Sequence, residues 1–182
     1  MKSFNNKVAV ITGAGGGIGG ALSKALAQRG CHLALVDYNP DMLEKTVSTL
    51  TDTDVKLSTH IADVTDKIRM AALPDEIVAE HGRIDLLINN AGITLQKSFD
   101  THSIEDWERI VNLNFWGVLY GCKFFKPFLE KSADAHVVNM SSVTGLIGLP
   151  AQSSYCATKA AVKGLTESLW AEWGAAGIGV TS

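Results

Sequence analysis

Cysteine is scarce in this chain, and the three present, Cys31, Cys122 and Cys156, are odd in number and widely spaced, with no C-x-x-C pair and no zinc-ligand pattern. That excludes a disulfide framework as the organising device and fits reduced thiols in a cytoplasm. An excess of positive charge is also missing. Sixteen Lys and Arg stand against 19 Asp and Glu, a net charge of −3, which leaves no basic footprint for nucleic acid or anionic lipid. The five histidines, His32, His60, His81, His102 and His136, show no H-E-x-x-H or other metal spacing, so no metal site is expected. The opening MKSFNNKVAVITG is polar with only a short apolar run before its glycine, so neither a signal peptide nor a membrane span is expected. What is present is a globular balance of 46% apolar and 19% charged residues over 182 positions. A chain of that size forms one domain, here residues 1–182, and buries roughly two thirds of the surface its unfolded form exposes. A small-molecule partner is expected.

Short apolar runs at 8–11, 32–36, 55–61, 84–88 and 136–140 read as strands, and amphipathic stretches at 17–29, 41–50, 66–81, 103–129 and 153–174 read as helices. Asn39-Pro40 reads as the cap and first-turn pair of the second helix. Strand alternating with helix requires parallel pairing, because a parallel neighbour is reached only by a crossover of a dozen or more residues. The expected fold is therefore α/β, a doubly wound parallel sheet with helices on both faces. The continuously apolar strands agree with a sheet covered on both sides. Residues 178–181 read as the opening of a sixth strand immediately before the last residue, so C-terminal sequence is expected to be missing.

The segment VAVITGAGGGIGGALSKALAQRG passes from strand through glycines into helix. Glycines there permit positive φ and close approach of a pyrophosphate, and the helix start offers unpaired N–H groups and a favourable dipole. Gly15, Gly17 and Gly20 fit G-x-G-x-x-G, whereas Gly13, Gly17 and Gly19 fit T-G-x-x-x-G-x-G, and the glycines alone leave both registers open. Asp37 ends the second apolar run about 20 residues after Gly17, where a carboxylate accepts from the hydroxyls of an adenosine ribose and repels a 2′-phosphate. NAD is expected rather than NADP.

In SSYCATKAAV, Tyr155 and Lys159 are four apart and share a helix face. Removing hydride from an alcohol needs a base at its oxygen, and a phenol with an ordinary pKa of about 10 supplies little phenolate near neutrality. An ammonium about 4 Å away contributes roughly 4 kcal/mol at an effective dielectric near 20, enough for about three pKa units before desolvation opposes it. Cys156 points about 100° around the helix from Tyr155 and reads as packing, as do Trp170 and Trp173.

TGAGGGIG at 12–19, Asp63-Val64, NNAG at 89–92, Asn114 in NFWGV, Ser142, and Tyr155 with Lys159 occur in order in one chain. Singly, each has a plainer explanation as a turn, a cap or a backbone-bonding polar residue. Together they resemble the short-chain dehydrogenase/reductase family across essentially the whole sequence. The resemblance selects Gly13, Gly17 and Gly19, with Ile18, as the cofactor loop. It implies that Asp63 and Val64 border the adenine and that Asn89, Ala91 and Gly92 wall the cofactor's ribose. It implies further that Ser142 holds the substrate oxygen, that Lys159 also bonds the nicotinamide ribose, and that Asn114 holds a water linking Lys159 to solvent. Tyr155 is then the general acid/base for a small or medium hydrophobic alcohol or ketone, with NAD as cofactor. Two alternatives stand beside this: an NADP-dependent reductase of 3-oxoacyl or sugar type, and a non-catalytic nucleotide-binding scaffold. Family members usually continue into a Pro-Gly segment, a substrate lid and a seventh strand, so the domain is expected to be C-terminally incomplete and its site unable to close. The helices at 103–129 and 153–174 are expected to pair between subunits in a homodimer or homotetramer.

Overall fold

A computed structural model describes residues 3–50 and 53–182. Among these, six strands, β1 (Val8–Thr12), β2 (His32–Asp37), β3 (Leu57–Ile61), β4 (Leu86–Asn89), β5 (His136–Asn139) and β6 (Gly179–Thr181), alternate with helices. The α-helices are α1 (Gly17–Ala27), α2 (Pro40–Ser48), α3 (Lys67–His81), α4 (Ile104–Val111), α5 (Gly117–Leu129) and α6 (Ser153–Trp173). All strands pair in parallel in the order β3-β2-β1-β4-β5-β6. The doubly wound α/β reading holds. The order reverses between β1 and β4, so the loops leaving these strands diverge and open a crevice at their carboxyl ends.

The sheet is apolar on both faces because both are covered. Ala9, Ile11, Leu33 and Leu35 point to the side of Leu26 and Leu43 from α1 and α2. Val10, Ala34, Val36, Leu87 and Val137 point the other way, onto Met70 and Ile77 of α3, Phe125 of α5 and Val162 of α6. Successive residues of one strand thus enter different cores, and every residue of β1 and of β4 is buried. No helix among the described residues is long and apolar enough to cross a membrane.

Asn39 caps α2 as its position implies, its Oδ1 accepting from the backbone N–H of Asp41 and Met42, with Pro40 in the first turn. Two expectations need correction. The helix expected over 103–129 is interrupted by a π turn, Asn112–Trp116, between α4 and α5. Trp170 does not bury: it is 66% exposed, while Trp173 joins the core.

Candidate functional site

The loop after β1 is built by close backbone approaches. Gly13 and Gly17 take φ of +66° and +52°, in the left-handed region that glycine adopts without strain. A Cβ on Gly13 would lie 2.9 Å from Ala91 Cα, and one on Gly19 would lie 2.1 Å from the Gly13 carbonyl oxygen. The loops after β1 and β4 are laced together across this contact. Thr12 Oγ1 accepts from the N–H groups of Asn90 and Ala91 at 3.0 and 3.1 Å, and Asn90 Nδ2 donates to the carbonyls of Thr12 and Gly13 at 2.9 and 3.2 Å. Gly16 opens α1 and brings no side chain to cap it, so the first N–H groups of the helix face the crevice unsatisfied by any side chain.

That crevice is a cavity of about 360 Å³ running from Gly13, Gly17 and Ile18 past Asp37 to Tyr155 and Lys159. Asp37 is fixed at its edge, with Oδ2 accepting from Gly15 N–H at 2.9 Å and Oδ1 from Asn39 N–H at 3.0 Å. Asp63 and Val64 line the same end, beside the exposed ring of Tyr38. Among the described residues, the charged groups on the cavity wall are Asp37 and Asp63 at this end and Lys159 at the other.

Lys159 is buried, and desolvation pushes the pKa of its ammonium down. Its Nζ donates to the Met140 carbonyl at 2.6 Å, which leaves two of its three N–H groups for the cavity, and it lies 5.6 Å from the centroid of the Tyr155 ring. The shared helix face expected of this pair is therefore realised. Asn114 sits in the π turn, fully buried, behind the cavity wall. Its Oδ1 accepts from Ile93 N–H at 2.9 Å while its Nδ2 donates to Ile93 carbonyl at 2.8 Å and reaches Thr158 Oγ1 at 3.3 Å. Its amide thus clamps a wall residue from both sides. The π turn is what brings this side chain inward: one extra residue per turn re-aims it where a regular helix would not.

Of the residues singled out in the sequence, Gly13, Gly17, Ile18, Asp37, Asp63, Val64, Ala91, Gly92, Tyr155 and Lys159 all reach the cavity. Gly19 and Asn114 support it from behind, and Ser142 follows the wall residue Ser141, its Oγ accepting from Thr144 N–H at 3.2 Å. Asn89 is a correction. Its side chain is buried on the α5 side of the sheet, where Nδ2 donates to Asn139 Oδ1 at 2.8 Å and lies 3.6 Å from Cys122 Sγ, so it does not wall the cavity. Strand alternation explains this, since neighbouring residues point to opposite faces. Asn90 makes the loop contacts instead, and the doubled asparagine of NNAG was its signal. Met140 had none, because it acts through its carbonyl.

A family model described as short chain dehydrogenase matches residues 7–182. The SadH protein of Mycobacterium tuberculosis, which carries the name of an oxidoreductase, is 44% identical over 169 residues, covering 93% of this chain and 61% of that protein. The chain thus spans less than two thirds of SadH. A 3-oxoacyl-[acyl-carrier-protein] reductase of Thermotoga maritima is 36% identical over 93% of this chain and 68% of its own length. A solved short chain dehydrogenase/reductase from Burkholderia phymatum in complex with NAD superposes with a TM-score of 0.94 at 36% identity, covering 100% of this chain and 66% of that one.

Proposed function

The chain belongs to the short chain dehydrogenase family, and from that premise we propose that it is an NAD-linked oxidoreductase interconverting an alcohol and its carbonyl, with Tyr155 as general acid/base. The observation that carries this is the meeting of Tyr155 and a buried Lys159 in the same cavity that the glycine loop opens.

The residues present fit a dinucleotide. The uncapped start of α1 offers N–H groups and the positive end of the helix dipole to a pyrophosphate, and the glycines remove the Cβ atoms that would fill the cradle. Asp37 keeps lone pairs for ribose hydroxyls. A 2′-phosphate would meet Asp37 and Asp63 with no cation among the described residues on that end of the wall, which favours NAD over NADP. A nicotinamide dinucleotide supplies the acceptor for the hydride, with both electrons of the broken C–H bond. Everything else falls to the chain. Ser142 donates its O–H to the substrate oxygen and holds it. Tyr155 Oη takes the hydroxyl proton as the C=O bond forms, and Lys159 stabilises the phenolate. Asn114 keeps Ile93 and Gly92 in place beside Lys159. In the reductive direction Tyr155 returns the proton.

Replacing Tyr155 by Phe removes the proton acceptor and nothing else on the cavity wall. The Tyr155→Phe protein is expected to bind NADH as the parent does, by fluorescence titration, and to lose about 10²–10⁴-fold in kcat. Retained turnover would refute the mechanism. The similarity to a 3-oxoacyl reductase favours a second reading, NADPH-dependent ketoacyl reduction, and tighter binding of NADPH than NADH would establish it in place of the first.

Residues 1–182 act in this reading as one dinucleotide-binding unit that assembles into a homodimer or homotetramer. A reducing compartment such as the cytoplasm suits its three unpaired cysteines, of which Cys31 and Cys122 have thiol pKa values pushed up to about 12 by burial.

A further inference from the structure

Tyr155 stands in the first turn of α6, a turn that its own end does little to fix. Gln152 at the N-cap brings no side-chain hydrogen bond. Ala151 before it takes φ of +60°, a left-handed backbone that a residue with a Cβ keeps only where its surroundings impose it. The placement of Tyr155 must therefore come from outside the turn. Beside the backbone bond from Lys97 N–H to the Ala151 carbonyl at 2.9 Å, two side-chain bonds supply it on the side of α4. Ser154 and Thr158, four apart and both buried, share a face of α6. Thr158 Oγ1 accepts from Asn114 Nδ2 at 3.3 Å, and Ser154 Oγ lies 3.2 Å from Nε2 of His102. His102 precedes α4 and Asn114 follows it, so α4 is a strut between two ties. Tyr155 lies between the two tied residues, and Thr158 Oγ1 also donates to its carbonyl at 2.8 Å.

Stability alone does not explain a histidine at position 102. The ring is 7% exposed and packs beside Trp107, with centroids 5.6 Å apart. Its Nδ1 is buried and meets no hydrogen-bond partner among the described residues. A half-satisfied buried imidazole costs stability, and an aliphatic side chain of similar size would fill the space without an orphaned nitrogen. The aliphatic side chain would lack only the bond to Ser154. We propose that His102 is a positioning residue, which through Ser154 fixes the first turn of α6 against α4 and so holds the Tyr155 hydroxyl at the reacting oxygen. This rests on the oxidoreductase reading above, in which Tyr155 moves the proton. A reacting group misplaced by about 1 Å loses up to about 10²-fold in rate, so a tie that controls the tilt of one helical turn acts on kcat without touching the substrate.

The test compares the parent with two variants. The double variant His102→Leu/Ser154→Ala removes both partners of the bond, so neither polar group is left buried alone, and His102→Gln keeps an amide that can donate to Ser154 Oγ or accept from it. Initial rates are measured for cyclohexanol and xylitol with NAD and for acetoacetyl-coenzyme A with NADH, alongside thermal unfolding and NADH titration by fluorescence. In the double variant the thermal midpoint is expected to stay at or above that of the parent, and NADH affinity to stay unchanged. Its kcat on whichever substrate the parent turns over is expected to fall about ten-fold at nearly constant KM, while His102→Gln stays within about three-fold of the parent. A double variant with the parent's kcat reduces the pair to packing and overturns the inference, leaving the oxidoreductase reading standing. So does a kcat that falls together with the thermal midpoint and NADH affinity, since the loss is then a general loosening, and so does a His102→Gln protein as slow as the double variant. A parent that binds NADH and turns over none of the three substrates overturns both readings.

Discussion

Adding a methyl group at Gly19 would place a carbon 2.1 Å from a backbone oxygen, whereas the same addition at Gly20 would meet nothing nearer than Thr46 Oγ1 at 3.4 Å. The two glycine registers that spacing alone left open are separated by this difference. Gly15, from the other register, is crowded too, but by the side chains of Asp37 and Met42. Gly19→Ala must push α1 off the loop after β1 and is expected to destabilise by about 1–3 kcal/mol, with weakened NADH binding. Gly20→Ala sits inside α1 and is expected to be neutral or to stabilise by up to about 1 kcal/mol. Thermal unfolding of the two variants distinguishes them, and equal losses would contradict the backbone contact. Residue identities were legible wherever a motif fixed a backbone shape, as at Gly13 and Gly17, or paired two side chains on one helix face, as at Tyr155 and Lys159. They were not legible at Asn89, because a four-letter motif does not say which of its residues faces the core.

At the scale of elements, the contact between β3 and α3 carries a pH dependence outside the site. Ser58 Oγ lies 2.8 Å from Nε2 of both His60 and His81, and His60 Nδ1 is 3.8 Å from Glu76 Oε2, itself paired with Arg69. One hydroxyl can donate to only one of the two rings, so the other ring must donate to it. Glu76 favours the proton on His60 Nδ1, which assigns the Ser58 proton to His60 Nε2 and leaves His81 as the donor. Burial holds the pKa of both histidines below the ordinary value, with Glu80, Lys56 and His32 biasing the balance. Because the folded-state pKa values are depressed, the neutral rings stabilise the fold fully above the unfolded value of about 6.5, and that contribution is lost as pH falls through the folded values. The thermal midpoint is expected to fall by several degrees between about pH 7 and pH 5, and more shallowly in His81→Gln, whose amide cannot gain a charge. Parallel pH profiles for the two proteins would rule the cluster out. None of this was visible in the sequence, where the histidines showed only an absence of metal spacing. The π turn at Asn112–Trp116 was hidden for a related reason. Its five residues contain no proline or glycine, and its supports, Ile93 and Thr158, are distant in sequence.

For the molecule as a whole, the alternation of apolar and amphipathic runs was enough to fix class and parallel pairing, since each crossover must cover a sheet face. How protomers would meet is written more faintly, because an interface residue and a core residue look alike in a hydrophobic pattern. A ladder of rings runs along the π turn and α5, with Phe115, Tyr120 and Phe124 half-buried against the core and Trp116 exposed: Phe115 to Trp116 at 6.1 Å between centroids, Trp116 to Tyr120 at 5.8 Å, and Tyr120 to Phe124 at 5.9 Å. Trp116 is 41% exposed, an uncommon position for the largest apolar side chain on a monomer. With 21 residues α6 is about 31 Å long, and two helices side by side offer a face on the order of 600 Å², near the roughly 800 Å² per partner of a standard stable interface. Aromatic rings concentrate at the centres of such interfaces, where one buried side chain can carry much of the association energy. Sedimentation equilibrium is therefore expected to return at least twice the 19.4 kDa of one chain for the parent protein, and to fall toward that value in Trp116→Arg. The substitution would bury a guanidinium without a partner in an apolar interface, at a cost that the loss of ring contacts compounds. A parent sedimenting at the mass of a single chain would remove the assembly from the account, and an unchanged mass in the variant would move the interface to another face.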